Sequence, residues 1–200
     1  MCTRVCTIKD MKKLLAILVL GLFLITPSQA DDSRDFQIEG MSVGDSLLDY
    51  FTEEKIEASH SYSYPKDKSF IAIDIRDPSF KVYDHIQVHV KKNDKKYVMY
   101  ALAGKITYPD NINDCYKKKD EIVKELSNFL LVKKDDQGTS KHPGDKTGKS
   151  KTTTVVFHFS SGDAIIVECY DWSTEMNRSD GLLVAIDKKE FGVWLRTKAF

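Results

Sequence analysis

An α+β fold is predicted, an antiparallel meander sheet with two main helices and a short C-terminal helix. Three observations predict it. Several runs alternate apolar and polar residues with period two, Ser69–Asp77 and Phe80–Val90 among them. One long run, Asp114–Leu131, repeats its apolar residues every three or four positions. The order of elements is then helix, three strands, helix, two or three strands, helix, which suits segregated rather than alternating packing. That order also allows two helix-plus-meander halves.

The first helix is expected over Val43–Glu57. Ser42 followed by Asp45 resembles a capping box, and Leu47, Leu48 and Phe51 recur at helical spacing. Strands follow at Ser69–Asp77, Phe80–Val90 and Tyr97–Tyr108, with Lys92-Asn93-Asp94-Lys95 as a polar turn. In the second strand Ile86, Val88 and Val90 share one face. Tyr83, His85, Gln87 and His89 are placed opposite, on a face expected to be polar and half-exposed. Tyr62-Ser63-Tyr64-Pro65 reads as a loop with aromatic packing. In the Asp114–Leu131 helix Cys115, Ile122, Val123, Leu126, Phe129 and Leu130 form one stripe. Lys133–Lys151 holds six lysines, three aspartates, three glycines and one proline, and is expected to be a flexible loop. Strands resume at Thr152–Phe159, Ala164–Asp171 and Leu182–Ile186. Asp187–Glu190 is expected to cap a last helix carrying Phe191, Trp194 and Leu195.

A two-residue turn at Ser161-Gly162 would pair Phe159 with Ala164 and Thr154 with Cys169. Val155, Phe157, Phe159, Ala164, Ile166 and Tyr170 then share one face; Val156, His158, Ile165, Val167 and Cys169 share the other. Both faces are apolar, so this hairpin is expected to be central and covered on both sides. The Asp114 helix presents Cys115 toward Cys169. A disulfide between them would close a loop of about 54 residues, worth roughly 3–4 kcal/mol in the chain-entropy model. The alternative is two separate buried thiols.

Residues 1–30 read as a secretory signal peptide. Met11-Lys12-Lys13 is a basic start and Leu14–Ile25 an apolar run, while Ser28 and Ala30 supply the small residues of a cleavage site. Met11 is the expected initiator and Asp31 the expected mature start. The apolar run is short of the roughly 20 residues that a membrane helix needs, although an uncleaved anchor is the alternative. No cysteine stands at position 31, so a soluble mature protein, periplasmic or secreted, is expected. The leader takes with it Cys2 and Cys6, leaving Cys115 and Cys169 as an even pair in an oxidising space. Of 30 basic and 30 acidic residues, the leader also removes Arg4, Lys9, Lys12, Lys13 and Asp10. The mature chain is then slightly acidic, with no net field to draw in nucleic acid or anionic lipid.

Motifs that imitate chemistry fail on geometry. Gly144-Asp145-Lys146-Thr147-Gly148-Lys149-Ser150 has one residue too few between its glycines for a phosphate loop, and a strand follows it where a helix is needed. His85 and His89 are about 13 Å apart on a strand, too far for one metal ion. His158 stands a similar distance from Cys169, out of reach for a thiol–imidazole pair. No cofactor is implied. Asp171 and Glu175, with Trp172 between them, form the best remaining cluster, since paired carboxylates cleave glycosides and tryptophan stacks on sugars.

Gly40–Phe51 (GMSVGDSLLDYF), Asn111–Leu126 (NINDCYKKKDEIVKEL) and Cys169–Met176 (CYDWSTEM) together resemble a family of small exported uncharacterised proteins of marine planktonic bacteria. That family has no assigned activity and implies no functional residues. The Gly40-Met41-Ser42 opening before a short helix and a meander is similar to modules of β-lactamase inhibitor proteins and of an outer-membrane assembly lipoprotein, which bind proteins through a sheet face. Export, the failure of every catalytic constellation and the polar, aromatic-bearing strand face lead to the expected function: a non-catalytic periplasmic binding module acting on an envelope protein or other ligand. Its expected surfaces are the strand face of Tyr83, His85, Gln87 and His89, with Trp172, and the Lys133–Lys151 loop. The alternative is a small envelope hydrolase using Asp171 and Glu175.

Overall fold

The alternating runs pair into one antiparallel sheet. The structure is a computed structural model that describes residues 32–109, 111–130 and 132–200. The signal-peptide reading and the Met11 start lie outside the described residues. Eight strands, β1 (His60–Ser63), β2 (Phe70–Ile75), β3 (His85–Lys91), β4 (Met99–Thr107), β5 (Lys133–Lys141), β6 (Lys151–His158), β7 (Ala164–Asp171) and β8 (Gly181–Asp187), stand in the order β1-β2-β3-β4-β8-β7-β6-β5. Among the described residues three α-helices accompany them: α1 (Glu53–Ala58), α2 (Ile112–Phe129) and α3 (Lys189–Thr197). This is the α+β class the patterns predict. Among the described residues no helix is long and apolar enough to cross a membrane.

The main core lies on one face of the sheet. Ile73, Ile75, Ile86, Val88, Leu102, Val184, Ile186, Val167, Val155 and Phe157 form its floor, and Leu47, Ile56, Cys115 and Leu126 pack down on them. Helix α2 starts at Asn111, whose side chain accepts a hydrogen bond from the Asn113 N–H. Its apolar stripe puts Cys115 against β7, where it is joined to Cys169 by a disulfide. The bridge ties the helix to an interior strand, as the pairing of thiols predicts.

Four expectations are corrected. The helix over Val43–Glu57 shrinks to a 3-10 turn at Leu47–Asp49 and then α1. Gly44 N–H donates to the Met99 carbonyl, Met99 N–H to Asp45, and Leu47 N–H to Tyr97. Pairing with the start of β4 thus claims the groups that a helix would use. Thr52, not Ser42, caps α1, its side chain accepting from the Lys55 N–H. Lys133–Lys151 is no flexible loop in its first half, which is edge strand β5, paired to β6 throughout. Thr139 and Ser140 hydroxyls meet those of Thr153 and Thr152 across the ladder, and a bulge interrupts it before Gly138. An edge strand needs no apolar face, and lysines with a bulge protect it from further pairing.

The β6–β7 register is shifted by one residue. His158, not Phe159, faces Ala164, and Thr153, not Thr154, faces Cys169. The loop has three residues, Ser160–Gly162, because Gly162 at φ +89 supplies a left-handed position after the turn. The slip turns β7 over: Val155 and Phe157 share the main core with Ile165, Val167 and Cys169, while Val156 lies with Ile166 and Tyr170. Finally, Asp187 does not cap the last helix. It is the buried end of β8, and the Lys189 N–H is instead met by Asp163 from the β6–β7 loop, 2.9 Å away.

Candidate functional site

The second face of the sheet is where the polar residues of the interior strands collect. Cross-strand pairing lays them out in rows. One row runs His85, Lys105, Leu183, Glu168 and Thr154 across β3, β4, β8, β7 and β6. The next runs Gln87, Ala103, Ala185, Ile166 and Val156, and a third His89, Ala101, Asp187, Ala164 and His158. The face curls. Tyr62, on edge strand β1, is five places from β7 in the sheet, yet the Tyr170 hydroxyl pKa, raised by burial first and Glu168 second, is raised further by Tyr62 and Tyr64.

His85, Gln87 and His89 do share this face, as their alternation predicts; His85 is half-buried, but the face is closed over Gln87 and His89. Gln87 and His89 are each 6% exposed. Helix α3 docks over this end, with the Phe191 ring tilted against that of His89 at 4.3 Å and Trp194 against Tyr64 and Phe70. His89 Nε2 lies 2.9 Å from the Tyr64 hydroxyl, and burial pushes its pKa down to about 3, so the ring is neutral. Gln87 Nε2 donates to the Tyr62 hydroxyl and to Asp74 Oδ1. Tyr83 is not with them. It precedes β3 and packs on the main core, its ring filling the space where a side chain on Gly104 would stand.

Toward β7 the face opens and becomes aromatic. Trp172 stacks parallel to Tyr170 at 5.5 Å, His142 lies 4.4 Å from the Trp172 ring, and the Arg178 guanidinium sits 4.8 Å over it. Burial lowers the His142 pKa, reinforced by Arg178, so that imidazole is also biased to neutral. Lys105 is half-buried, and burial lowers its pKa against the opposing pull of Asp74, with Arg178 a smaller influence in the same direction as burial. Glu168 accepts from the Thr154 hydroxyl at 2.8 Å, and burial pushes its pKa up. Asp187 is pushed up to about 7 by burial, against the opposing pull of Arg196.

Asp171 ends β7 opposite Lys151, while Glu175 is hydrogen-bonded to the Lys149 ammonium, which lowers its pKa. The segment imitating a phosphate loop is folded about Asp145, whose carboxylate accepts from the backbone N–H groups of Thr147 and Ser150 and from the Ser150 and Ser173 hydroxyls. Those bonds, Ser150 first, hold its pKa far below the carboxylate range. A separate cleft of about 300 Å³ lies between Gln37–Met41 and Ser79–Tyr83. Its one carboxylate, Glu39, is taken up by the N–H groups of Lys81, Val82 and Tyr83. No group of residues suited to hold a metal ion occurs among the described residues.

Sequence reasoning passed over Lys105, Glu168, Asp187, Arg178 and His142. A signal existed for the first two: each is the one charge in the interior of a largely apolar strand, Met99–Thr107 and Ala164–Asp171. The clustering of His142 on Trp172 has no such signal, because it joins the β5–β6 and β7–β8 loops. Comparison of the chain with protein-family models, with curated proteins and with solved structures finds no match.

Proposed function

We propose that the mature chain is a non-catalytic binding module of the periplasm or secreted space, holding an envelope protein against the curled face of its sheet. One observation carries this. Tyr62, Tyr170, Trp172, His142 and Arg178 gather on that face and its rim, held by strands and short loops. Aromatic and arginine side chains on a rigid support are the usual anchors of protein interfaces. The leader-like residues 1–30 and the Cys115–Cys169 disulfide support export.

The likeness of Gly40–Phe51 to modules of β-lactamase inhibitor proteins supports the same use. The element order agrees with two helix-plus-meander halves, α1 leading β1–β4 and α2 leading β5–β8. The hydrolase reading draws less support. A glycosidase needs one carboxyl held protonated, and Lys149 favours the ionised form of Glu175.

The test is crosslinked capture from the native envelope with a tag at Phe200, run beside Trp172→Ala. One stoichiometric partner, lost from the variant, is the expected result. Equal recovery by the variant sinks the proposal, as does glycan hydrolysis that vanishes in Asp171→Asn with Glu175→Gln.

A further inference from the structure

The cleft between Gln37–Met41 and Ser79–Tyr83 takes no part in the curled face. Met41, Phe51, Phe80 and Tyr83, which line it, belong to the main core on the other side of the sheet. Its volume of about 300 Å³ is that of a site for a small ligand. The rim is open: Tyr50 and Val82 are each 39% exposed, and a first side-chain carbon on Gly40 would meet nothing within 4 Å.

Glu39 is held in this cleft with its backbone at φ 52, a left-handed conformation that residues with a side chain rarely adopt. Its carboxylate accepts from the N–H groups of Lys81 at 2.9 Å, Val82 at 2.8 Å and Tyr83 at 3.0 Å. These amides fix the carboxylate in place but bring no counter-charge. Among the described residues no basic side chain forms an ion pair with it, that of the neighbouring Lys81 included. A carboxylate has roughly four acceptor positions, so little hydrogen-bonding capacity is left beside the negative charge.

Aromatic rings surround that charge. Phe51 and Phe80 meet edge to face at 6.2 Å, and Tyr83 lies with one ring face over Gly104 while lining the cleft with the rest. Tyr50 is oriented by its hydroxyl, which donates to Asp45 at 2.6 Å and brings a second carboxylate to the edge of the cleft. Phe51 already serves a cation, the Lys55 ammonium, which Asp77 holds 5.6 Å from the ring centroid.

We infer that the cleft binds a small quaternary ammonium solute, its charge set against Glu39 and its methyl groups against Tyr50, Phe80 and Tyr83. Aromatic rings attract such a cation, and a methylated nitrogen asks for no hydrogen bond. A primary ammonium or a guanidinium needs acceptors that Glu39 has already given to the backbone. Lys81, at the same cleft, opposes the cation and sets an upper limit on its affinity. The site lies apart from the curled face, so choline binding and partner capture can fail independently.

The probe is choline, added to the disulfide-bonded chain and followed by backbone amide shifts. These should centre on Gly40, Val82 and Tyr83, a readout that needs no variant to fold. Dimethylbutanol, the uncharged carbon isostere of choline, and ethanolamine, its primary amine counterpart, should each bind about 10-fold more weakly. Glu39→Gln should weaken choline binding by about 10-fold. Lys81→Gln should strengthen it, by an amount that shrinks as salt rises, a gain that no damaged fold would produce. Phosphatidylcholine vesicles, which carry the same group on a lipid, should not retain the chain.

Equal binding of the isostere would overturn the assignment, leaving the cleft apolar without selection for charge. Tighter binding of ethanolamine, or choline shifts confined to other parts of the molecule, would overturn it as well. Retention on the vesicles would overturn the solute and assign the ammonium group to a lipid.

Discussion

His89, Ala101 and Asp187 stand on one cross-strand row, so two buried titratable groups lie two strands apart on the same face. Their pH effects have opposite signs. His89 is pushed down to about 3 by burial, whereas the unfolded chain takes up that proton near 6.5. Its contribution to stability is present above 6.5 and lost as pH falls toward 3. Asp187, pushed up to about 7, keeps a proton that the unfolded chain releases near 3.8. Its contribution is full below 3.8 and lost as pH rises through 7. Between about pH 4 and 6.5 the two offset each other. Relative to wild type, His89→Gln should therefore gain stability on acidification across that window and Asp187→Asn should lose it. Urea unfolding at several pH values reads both, and parallel curves for all three proteins would exclude the pairing.

At the scale of elements, α3 decides which part of the polar face is closed. Phe191 and Trp194 are 2% and 5% exposed and pack with Phe70, Tyr64 and Ala101. Phe191→Ala should cost about 3–5 kcal/mol, the usual range for an aromatic truncated in a core. It should also readmit water to the His89 ring and move its pKa up toward 6.5, visible in an NMR titration of the imidazole. A His89 that stays neutral to pH 4 in that variant would show that Tyr64 and the sheet alone bury it. Why the closed end escaped the sequence reading follows from the same contact. Alternation gave His85, Gln87 and His89 one face correctly, but Phe191 is a hundred residues further along, and nothing local to β3 announces it. The β6–β7 register failed for a nearer reason. Ser160-Ser161-Gly162 is compatible with a two-residue or a three-residue loop, and the choice depends on which residue takes the left-handed conformation, here Gly162.

Across the whole molecule, the disulfide joins the helix that covers the main core to an interior strand, its cysteines separated by 54 in sequence. Replacing Cys115 and Cys169 together by alanine should cost about 2–5 kcal/mol. Reduction of the wild-type chain should lower its thermal midpoint in the same direction, by an amount that chemical denaturation can calibrate. An unchanged midpoint after complete reduction would mean that packing of α2 alone supplies the constraint.

Local pattern by itself determined the class, the α2 stripe, most strand positions and the pairing of Cys115 with Cys169, because periodicity and the supply of thiols are properties of short stretches or of simple counts. Tertiary structure alone decided that Gly44–Leu47 would pair with β4 instead of winding into a helix, since that choice depends on hydrogen-bonding partners about fifty residues away. It also decided that Lys133–Lys141 would be a strand, because an edge can be stabilised by its neighbour's backbone without any apolar face of its own. The aromatic rim of the curled face belongs to the same category. Trp172 and Arg178 come from the β7–β8 loop and His142 from the β5–β6 loop, and only the pairing order of the strands brings them together.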